Sequence, residues 1–186
     1  MQVQISQIAN LPSKWGEFQI QSFKEGEKEH LCIFKNLPQD VVNLRIHSEC
    51  LTGDSLGSLK CDCGAQLAFA LNYIQEHGGM VIYLKQEGRN IGLFNKVNAY
   101  ALQDKGRDTI EANVELGFGA DERSYEIVEF ILDYYQISRV NLLTNNPKKL
   151  DFLKDKIHSR IPIIVGLNPH NEAYIRVKQN QMGHLE

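Results

Sequence analysis

Three cysteines lie within the stretch CLTGDSLGSLKCDCG, residues 50–64, and could together hold a metal ion. Cys50, Cys61 and Cys63 follow the spacing C-x10-C-x-C, and Cys63 comes at the expected start of a helix, which favours the thiolate form. Structural zinc sites fill all four coordination positions with protein ligands, whereas catalytic sites use three and leave one for water. Because no second cysteine pair lies nearby, the spacing favours a catalytic zinc site.

Two other interpretations of these cysteines stay open. They could be buried thiols without a metal, or ligands of a structural zinc that His47 or Cys32 completes. Cys32 lies in the apolar run HLCIF and is predicted to be a core residue. The chain is predicted to be cytoplasmic, so its four cysteines are expected to be ligands, reactive thiols or buried residues rather than disulfides.

The composition is that of an ordinary globular protein. Of 186 residues, 42% are hydrophobic and 23% are charged, which excludes disordered and fibrous classes. No segment has the ~18 to 20 uninterrupted apolar residues of a transmembrane helix, and the start MQVQISQIANLPSKWGEF lacks the features of a secretory signal. The net charge of -3 gives no sign of a nucleic-acid surface. We therefore expect no nucleic-acid or membrane partner, and any polyanionic ligand must bind in a local cationic pocket.

The pattern of apolar residues predicts an α/β fold in a single compact domain spanning residues 1–186. Short β-type runs are EFQIQSF, HLCIF, VVNLRIHSE, MVIYL, RVNLLT and IPIIVG. From about residue 80 strands alternate with helices, so we expect a mixed β-sheet with flanking helices and a more antiparallel N-terminal part. In VVNLRIHSE, period-two alternation places Arg45 and His47 on the face opposite the core, just before the first cysteine.

Four helices are predicted, within GAQLAFALNYIQEHGG, NIGLFNKVNAYALQDKG, SYEIVEFILDYYQI and NNPKKLDFLKDK. The side chains expected to face the core are Leu67, Ala70, Leu71 and Ile74 in the first, Leu93, Phe94, Val97 and Ala101 in the second, and Ile127, Phe130, Ile131 and Tyr134 in the third. The fourth helix has Asn146 at its N-cap and Pro147 at its first position, the preferred order for a helix start.

Two loops have the composition of anion sites. In KQEGRNIGLFNK, the residues Glu87, Gly88 and Arg89 lie between a strand and a helix, where backbone amides and a guanidinium can bind an oxyanion. In LLTNNPKK, a strand ends at Thr144 before a helix that opens with two lysines. Each loop alone could be a solvated turn or a capped surface helix, but two such loops at strand carboxyl ends support each other.

A third polar stretch, DTIEANVELGFGADERSYEI, contains a glycine-rich turn before a helix. Thr109, Asp121, Glu122 and Arg123 cluster around this turn. Asp121 and Arg123 could form a surface ion pair, or a base beside an oxyanion binder. The residues alone do not decide between these alternatives.

The segments RIHSECLTGDSLGSLKCDCG, QEGRNIGLFNKVNAYALQDKG, DTIEANVELGFGADER and LLTNNPKK follow one another over roughly residues 45–150. Together they closely resemble the GTP cyclohydrolase II family, and GLNPHNEAY and MGHL extend the resemblance, with a motif-bearing core of about residues 41–170. The resemblance implies conversion of GTP into a diaminopyrimidine ribosyl phosphate, formate and diphosphate, in riboflavin synthesis. It further implies one Zn2+ per subunit, Mg2+ bound with the triphosphate, a homodimer, and a monofunctional chain without the synthase domain fused to many relatives.

The same resemblance implies roles for individual residues. The zinc ligands that it implies are Cys50, Cys61 and Cys63. The residues that it implies for contact with GTP are Arg45, Ile46, His47, Ser48, Glu49, Gln66, Glu87, Gly88, Arg89, Thr109, Thr144 and Lys149. It makes Asp121 the proton acceptor and Arg123 the nucleophile, and it links Tyr100 to the later hydrolytic step, where the alternative is a core aromatic. Lys60 stands where many relatives carry arginine, so any contact there becomes that of a point charge.

The implied chemistry is consistent with these residue types. Bound zinc can activate water for attack on C8 of guanine, and the cationic loops with Mg2+ would hold the triphosphate. Glu87 could pair with the N1 and 2-amino donors of guanine and so exclude adenine. A guanidinium, with a pKa above ~12, is a poor nucleophile, so Arg123 could instead act through transition-state electrostatics. Three alternatives stay open: a paralogue that stops at the formamidopyrimidine, a non-catalytic zinc-stabilised GTP-binding module, and an unrelated nucleotide hydrolase.

Overall fold

Eight strands form one mixed sheet among residues 2–119 and 121–185, which the computed structural model describes. The strands are β1 Val3–Ile5, β2 Ala9–Ser13, β3 Gly16–Glu25, β4 Lys28–Lys35, β5 Val42–Ser48, β6 Gly79–Leu84, β7 Val140–Leu143 and β8 Ile157–Ile161. Their order is β1-β3-β4-β6-β5-β7-β8, with β2 also paired to β3. Pairing is antiparallel from β1 through β4 to β6 and parallel among β6, β5, β7 and β8. The predicted α/β class with an antiparallel N-terminal part is therefore confirmed.

Seven α-helices connect or flank the strands in the same part of the chain. They are α1 Leu51–Asp54, α2 Cys63–His77, α3 Gly92–Gln103, α4 Thr109–Glu115, α5 Glu126–Tyr134, α6 Pro147–Phe152 and α7 Glu172–Met182. A 3-10 turn at Glu87–Asn90 precedes α3. None of the helices in the described residues is long and apolar enough to cross a membrane.

Helices cover both faces of the sheet. On one face, Ile127 and Ile131 of α5 pack into a core that also contains Cys32, which is fully buried as predicted. On the other face, Leu71 and Ile74 of α2 pack against strands β3, β4 and β6. Burying an aliphatic side chain of this size contributes ~1.5–3 kcal/mol, so these two cores fix α2 and α5 relative to the sheet.

Strand β5 delivers polar residues to the site because successive side chains point to opposite faces of a sheet. Leu44 and Ile46 are fully buried in the core beneath α5. Arg45 and His47 lie on the other face, as the alternation predicts, and they too are buried, with 5% and 2% of their surfaces exposed. The carboxyl end of β5 therefore places a guanidinium and an imidazole directly before Cys50.

The predicted inward stripe of α3 is wrong. Phe94, Val97 and Leu93 are 78%, 53% and 40% exposed, and Ala101 is exposed as well. The buried face of α3 instead carries Lys96 and Ala99. The predicted helix is present, but periodicity does not specify which of its faces is buried. Lys96 lies on the buried face, where it pairs with Glu87.

Further differences from the predicted elements lie in the C-terminal half. β8 ends at Ile161, so the strand predicted at IPIIVG lies four residues too late; Pro162 has no N–H for the strand ladder and ends the pairing. Tyr134, predicted to face the core, is 47% exposed. Helices α4 and α7 were not predicted, although Asp108 and Glu111 form a complete capping box at the start of α4.

Candidate active site

Three sulfur atoms form the centre of the site. The Sγ atoms of Cys50, Cys61 and Cys63 lie within 4.8 Å of one another, and those of Cys50 and Cys61 are 3.7 Å apart. Two thiolates that bind one zinc ion tetrahedrally, with Zn–S bonds of ~2.3 Å, lie ~3.8 Å apart. The structure therefore brings the three predicted ligands to a spacing that suits a single ion.

Backbone packing between α1 and α2 sets this spacing. Cys50 immediately precedes α1, and Cys63 is the first residue of α2, as predicted. A Cβ atom on Gly64 would lie 2.2 Å from the carbonyl oxygen of Gly53, and one on Gly53 would lie 2.7 Å from the Sγ of Cys61. Only glycine permits this approach at either position, so the two helices that carry the ligands are in direct backbone contact.

Lys96 connects the thiols to a carboxylate. Its Nζ donates to the Sγ of Cys50 at 3.1 Å and to Oε1 of Glu87 at 2.7 Å. Burial opposes the charge of Lys96, but Glu87 and Cys50 outweigh burial and raise its pKa. Glu87 also accepts hydrogen bonds from the backbone N–H groups of Leu51, at 2.6 Å, and Gly88, at 2.9 Å. Both carboxylate oxygens of Glu87 therefore already have protein donors.

The three thiols hold their protons unequally. Hydrogen bonds from Cys61 and Cys63 lower the pKa of Cys50. The hydrogen bond with Cys50 raises the pKa of Cys61 to about 11 and also raises that of Cys63, and burial acts in the same direction on both. The protein alone thus favours one thiolate, and a bound divalent cation would displace the remaining two protons.

His47 is held between two neighbours rather than directed at the sulfurs. Burial lowers the pKa of His47 despite its hydrogen bond to Asp54, so the ring is neutral at pH 7. Its Nε2 lies 3.1 Å from Oδ1 of Asp54, which assigns the proton to Nε2. Nδ1 then accepts from Nη2 of Arg45 at 3.4 Å. Neither His47 nor Cys32 belongs to the metal-competent group formed by the described residues, so neither completes a closed four-ligand site.

Asp54, which the sequence analysis did not select, accepts hydrogen bonds from three directions. Besides His47, the hydroxyl of Tyr83 donates to its Oδ2 at 2.8 Å and the backbone N–H of Cys50 donates to the same oxygen at 3.0 Å. The ring of His47 also stacks on that of Tyr83, with 5.5 Å between centroids. Asp54 therefore connects the first metal-ligand candidate to the imidazole at the end of β5.

We expect Asp54→Asn to lower the free energy of unfolding by about 1–3 kcal/mol, because an amide offers one acceptor oxygen to three donors and leaves buried groups unsatisfied. Urea denaturation followed by circular dichroism measures this change. Asp104→Asn is the matched control, since Asp104 forms only an exposed ion pair with Lys60 and should change stability by less than about 1 kcal/mol. Equal stability of the two variants would remove Asp54 from this positioning role.

The thiols lie in the wall of a cavity of about 1110 Å³, counted out to its open mouth. The predicted site residues that line it are Arg45, His47, Ser48, Glu49, Cys50, Cys61, Cys63, Gln66, Glu87, Gly88, Arg89, Tyr100, Thr109, Arg123, Thr144 and Lys149. Ile46 and Asp121 do not line it. The side chain of Ile46 packs in the opposite core because of the strand alternation, so only its backbone faces this side of the sheet.

Arg45 and Lys149 give the cavity a buried cationic floor. Arg45 donates from Nη1 to the carbonyl of Leu143 at 3.0 Å and from Nη2 to Oε1 of Gln66 at 2.7 Å. Lys149 donates to the carbonyl of Ile46 at 2.8 Å. Burial lowers the pKa of Arg45 to about 10 and that of Lys149 well below its usual range, with further repulsion of Lys149 by Arg45. A bound anionic ligand would favour the charged forms of both side chains, which burial disfavours.

Arg123 and Asp121 form a tight pair at the side of the cavity. The Nε and Nη2 of Arg123 donate to the two carboxylate oxygens of Asp121 at 2.7 and 2.9 Å, and Lys148 donates to Oδ2 at 3.1 Å. Burial opposes both charges, but the pair outweighs it: the pKa of Asp121 lies well below its usual range and that of Arg123 above. Asp121 is therefore a weak base in this arrangement, and Arg123 stays protonated.

The Glu87–Asn90 turn has an unusual backbone. Gly88, Arg89 and Asn90 have φ angles of 62°, 60° and 76°, in the left-handed region. This conformation costs a non-glycine residue such as Arg89 ~1–3 kcal/mol, and such strain concentrates at binding sites. The side-chain amide of Asn90 donates to the carbonyl of Glu122 at 3.0 Å, and the N–H of Glu122 donates to the carbonyl of Arg89 at 3.2 Å. These two bonds hold the turn against the segment that carries Arg123.

Several cavity residues were missed by the sequence analysis. They are Ile91, Lys96, Ala99, Gln103, Asn113, Asn145, Tyr174, Lys178, Met182 and His184. Tyr100, which was predicted, has its hydroxyl 3.4 Å from Oγ1 of Thr52, and burial raises its pKa, so it is a neutral phenol. Periodicity did not indicate α7, because it is a polar helix without an apolar stripe; the segments GLNPHNEAY and MGHL, noted for the resemblance, contain Tyr174, Met182 and His184.

Clustered thiols beside a cationic cavity, at the carboxyl ends of β5, β6 and β7, define an α/β protein able to hold a metal ion next to an anionic ligand. The chain belongs to the GTP cyclohydrolase II family, whose sequence profile matches residues 4–161.

Curated relatives extend this likeness over the whole chain. The chain is 63% identical over 186 residues to a protein of Campylobacter hominis named GTP cyclohydrolase-2, covering 100% of this chain and 96% of that protein. It is 64% identical over 189 residues to the GTP cyclohydrolase-2 of Campylobacter fetus subsp. fetus, covering 100% and 97%. A solved structure of RibBX, a two-domain 3,4-dihydroxy-2-butanone 4-phosphate synthase from A. baumannii, matches 86% of this chain and 40% of that chain, with a TM-score of 0.46 and 14% identity.

Proposed function

We propose that the protein opens the imidazole ring of the guanine of GTP by hydrolysis and releases formate and diphosphate. The product would be a diaminopyrimidine ribosyl phosphate, for riboflavin synthesis. The observation that carries this proposal is the cluster of three cysteine sulfurs, within 4.8 Å of one another, in the wall of a cavity with a cationic floor. Membership of the GTP cyclohydrolase II family supports the same reaction class.

The donor set of the cluster suits zinc. Three thiols from Cys50, Cys61 and Cys63 are soft ligands of the kind that zinc prefers, and the metal-competent group among the described residues supplies three ligands rather than four. When bound, zinc would supply water with a pKa lowered towards ~7 for attack on C8 of guanine. Lys96 would compensate the negative charge that the thiolates bring to the site.

The cationic floor would hold the phosphates. Arg45 and Lys149 are buried and form no ion pair with a carboxylate of the described residues, and the Nε of Arg45 has no hydrogen-bond partner there. A polyphosphate supplies both acceptors and negative charge to such groups. Mg2+ would accompany the triphosphate and share its charge, as the family resemblance implies.

Two of the roles implied by the resemblance change in the light of the geometry. Because both oxygens of Glu87 accept hydrogen bonds from the protein, guanine recognition by Glu87 would have to use its remaining lone pairs. Because Arg123 is bidentate to Asp121, we propose that water rather than Arg123 attacks the α-phosphorus of GTP, and that Arg123 stabilises charge on the departing diphosphate. Tyr100, a partly buried neutral phenol, would donate a hydrogen bond during release of the formyl group.

Ultraviolet spectroscopy tests the proposed reaction. Zinc-loaded protein with GTP and Mg2+ should convert the purine spectrum to that of a diaminopyrimidine, with one formate formed for each ring opened, and removal of zinc by a chelator should stop both. Ring opening without formate would indicate the formamidopyrimidine paralogue. GTP bound but unchanged would indicate a non-catalytic module, and phosphate release with an intact purine would indicate another nucleotide hydrolase.

The other expectations stay predictions. A homodimer is supported by the exposed apolar side chains on α3, where Phe94 is 78% exposed, since a second copy of the chain could cover them. A cytoplasmic location and the absence of nucleic-acid or membrane partners rest on composition. The motif-bearing core of about residues 41–170 rests on the resemblance, and the single compact domain over residues 1–186 rests on the pattern of apolar residues.

A further inference from the structure

The C-terminal helix closes one side of the cavity, although the family profile ends at residue 161 and α7 begins at Glu172. Tyr174, Lys178 and Met182 of α7, and His184 just beyond it, line the cavity together with the thiols and the cationic floor. This part of the cavity lining is thus built by residues beyond the region that the family profile matches.

Specific contacts hold this wall in place. Lys178 Nζ lies 2.6 Å from Oδ1 of Asp62, the residue between Cys61 and Cys63. The N–H of Leu185 donates to the carbonyl of Asn145 at 2.8 Å. The loop before α7 is fixed by the fully buried Asn171, whose side chain donates to the carbonyl of Gly166 at 2.7 Å. Helix α7 therefore has a defined position against the start of α2.

Cationic side chains at the cavity can bind an anion. Arg45, Lys149 and Lys178 all face it, and the side chain of Lys178 is only 12% exposed. Among these three, only Lys178 has a carboxylate partner in the described residues, namely Asp62. Asp62 takes one of the three N–H donors of the ammonium group, which also lies 4.5 Å from the centre of the Tyr174 ring, so at least one donor is left for a ligand.

We propose that Lys178 is a further substrate-binding residue, which donates hydrogen bonds to the polyphosphate of the nucleotide from helix α7. Asp62 holds the ammonium group in position, so that binding does not have to order a long, free side chain. The identity of the nucleotide rests on the proposed function. The hydrogen bonds assigned to Lys178 require only a linear polyphosphate.

The test compares Lys178→Met with Arg176→Met on the same helix. Arg176 forms only an exposed ion pair with Glu172 and serves as the matched control. A charge-assisted hydrogen bond contributes ~1.5–3 kcal/mol, so Lys178→Met should raise the KM for GTP by about 10- to 100-fold with a smaller change in kcat. Lys178→Arg should recover most of the affinity, and Arg176→Met should match the wild-type protein.

Calorimetric binding of two probes to the zinc-loaded protein separates binding from a structural role. Lys178→Met should weaken binding of inorganic triphosphate and leave that of guanosine unchanged, whereas disruption of the wall would weaken both and overturn the inference. Unchanged triphosphate binding by Lys178→Met, or no triphosphate binding by the wild-type protein, would also overturn it. If the wild-type protein leaves GTP intact, and Lys178→Met still weakens binding of triphosphate, the proposed function fails and the assignment of Lys178 stands.

Discussion

Cys61→Ala is expected to remove bound zinc and to lower kcat/KM for GTP by at least about 1000-fold. The two remaining thiols cannot complete a site that needs three protein ligands. Activation of water by the metal lowers the barrier by several kcal/mol, and each ~1.4 kcal/mol of barrier changes the rate tenfold. Elemental analysis of the purified protein gives the zinc content, and the spectroscopic assay with GTP gives the rate.

Cys32→Ala provides the control for loss of a thiol as such. Cys32 is buried in the core beneath α5, away from the cluster, so this variant should keep one zinc ion per chain and its activity while losing some stability. Full zinc content and full activity in Cys61→Ala would contradict the proposed metal site. Thermal unfolding of both variants would show whether any loss follows from a failure to fold.

Arg123→Ala is expected to reduce diphosphate release from GTP by about 100- to 1000-fold, the usual effect of removing one preorganised donor from a developing charge. The change also leaves Asp121, a buried carboxylate, with Lys148 and the backbone N–H of residue 123 as partners. A coupled diphosphate assay measures the effect. Arg107→Ala, which removes an exposed ion pair with Glu115, should leave the rate unchanged.

Arg123→Lys distinguishes the two chemical roles of this residue. If Arg123 acts by its charge, lysine should restore about a tenth or more of the rate, because the charge remains while the bidentate contact with Asp121 is lost. If Arg123 is a nucleophile that needs its guanidinium geometry, lysine should restore nothing. Near-normal diphosphate release by Arg123→Ala would exclude Arg123 from the site altogether.

The local parts of the site were predictable from the sequence. Cysteine spacing, the alternation around Arg45 and the capped helix start at Asn146 are all set by neighbours along the chain, and the structure has each of them where the sequence predicts. Strand and helix periods likewise identified the sheet and the helix α2, whose apolar face packs as expected.

Contacts between distant segments were not predictable in this way. Asp62 and Lys178 are 116 residues apart, and nothing in either local sequence indicates the pair. The face of α3 was assigned wrongly because Lys96 is buried by Glu87 and Cys50, which lie outside its own helix. Asp54 was overlooked because its value as an acceptor depends on Tyr83 of another strand.

The backbone contact between Gly53 and Gly64 closes the loop that connects α1 to α2. Because the backbones of Gly53 and Gly64 touch directly, α1 and the start of α2 are held together without the side chains of residues 55–59, where Leu56 and Leu59 are 73% and 56% exposed. Residues 55–59 could therefore be exchanged or extended, for example to attach a reporter group, while Gly53, Gly64 and the three cysteines are kept.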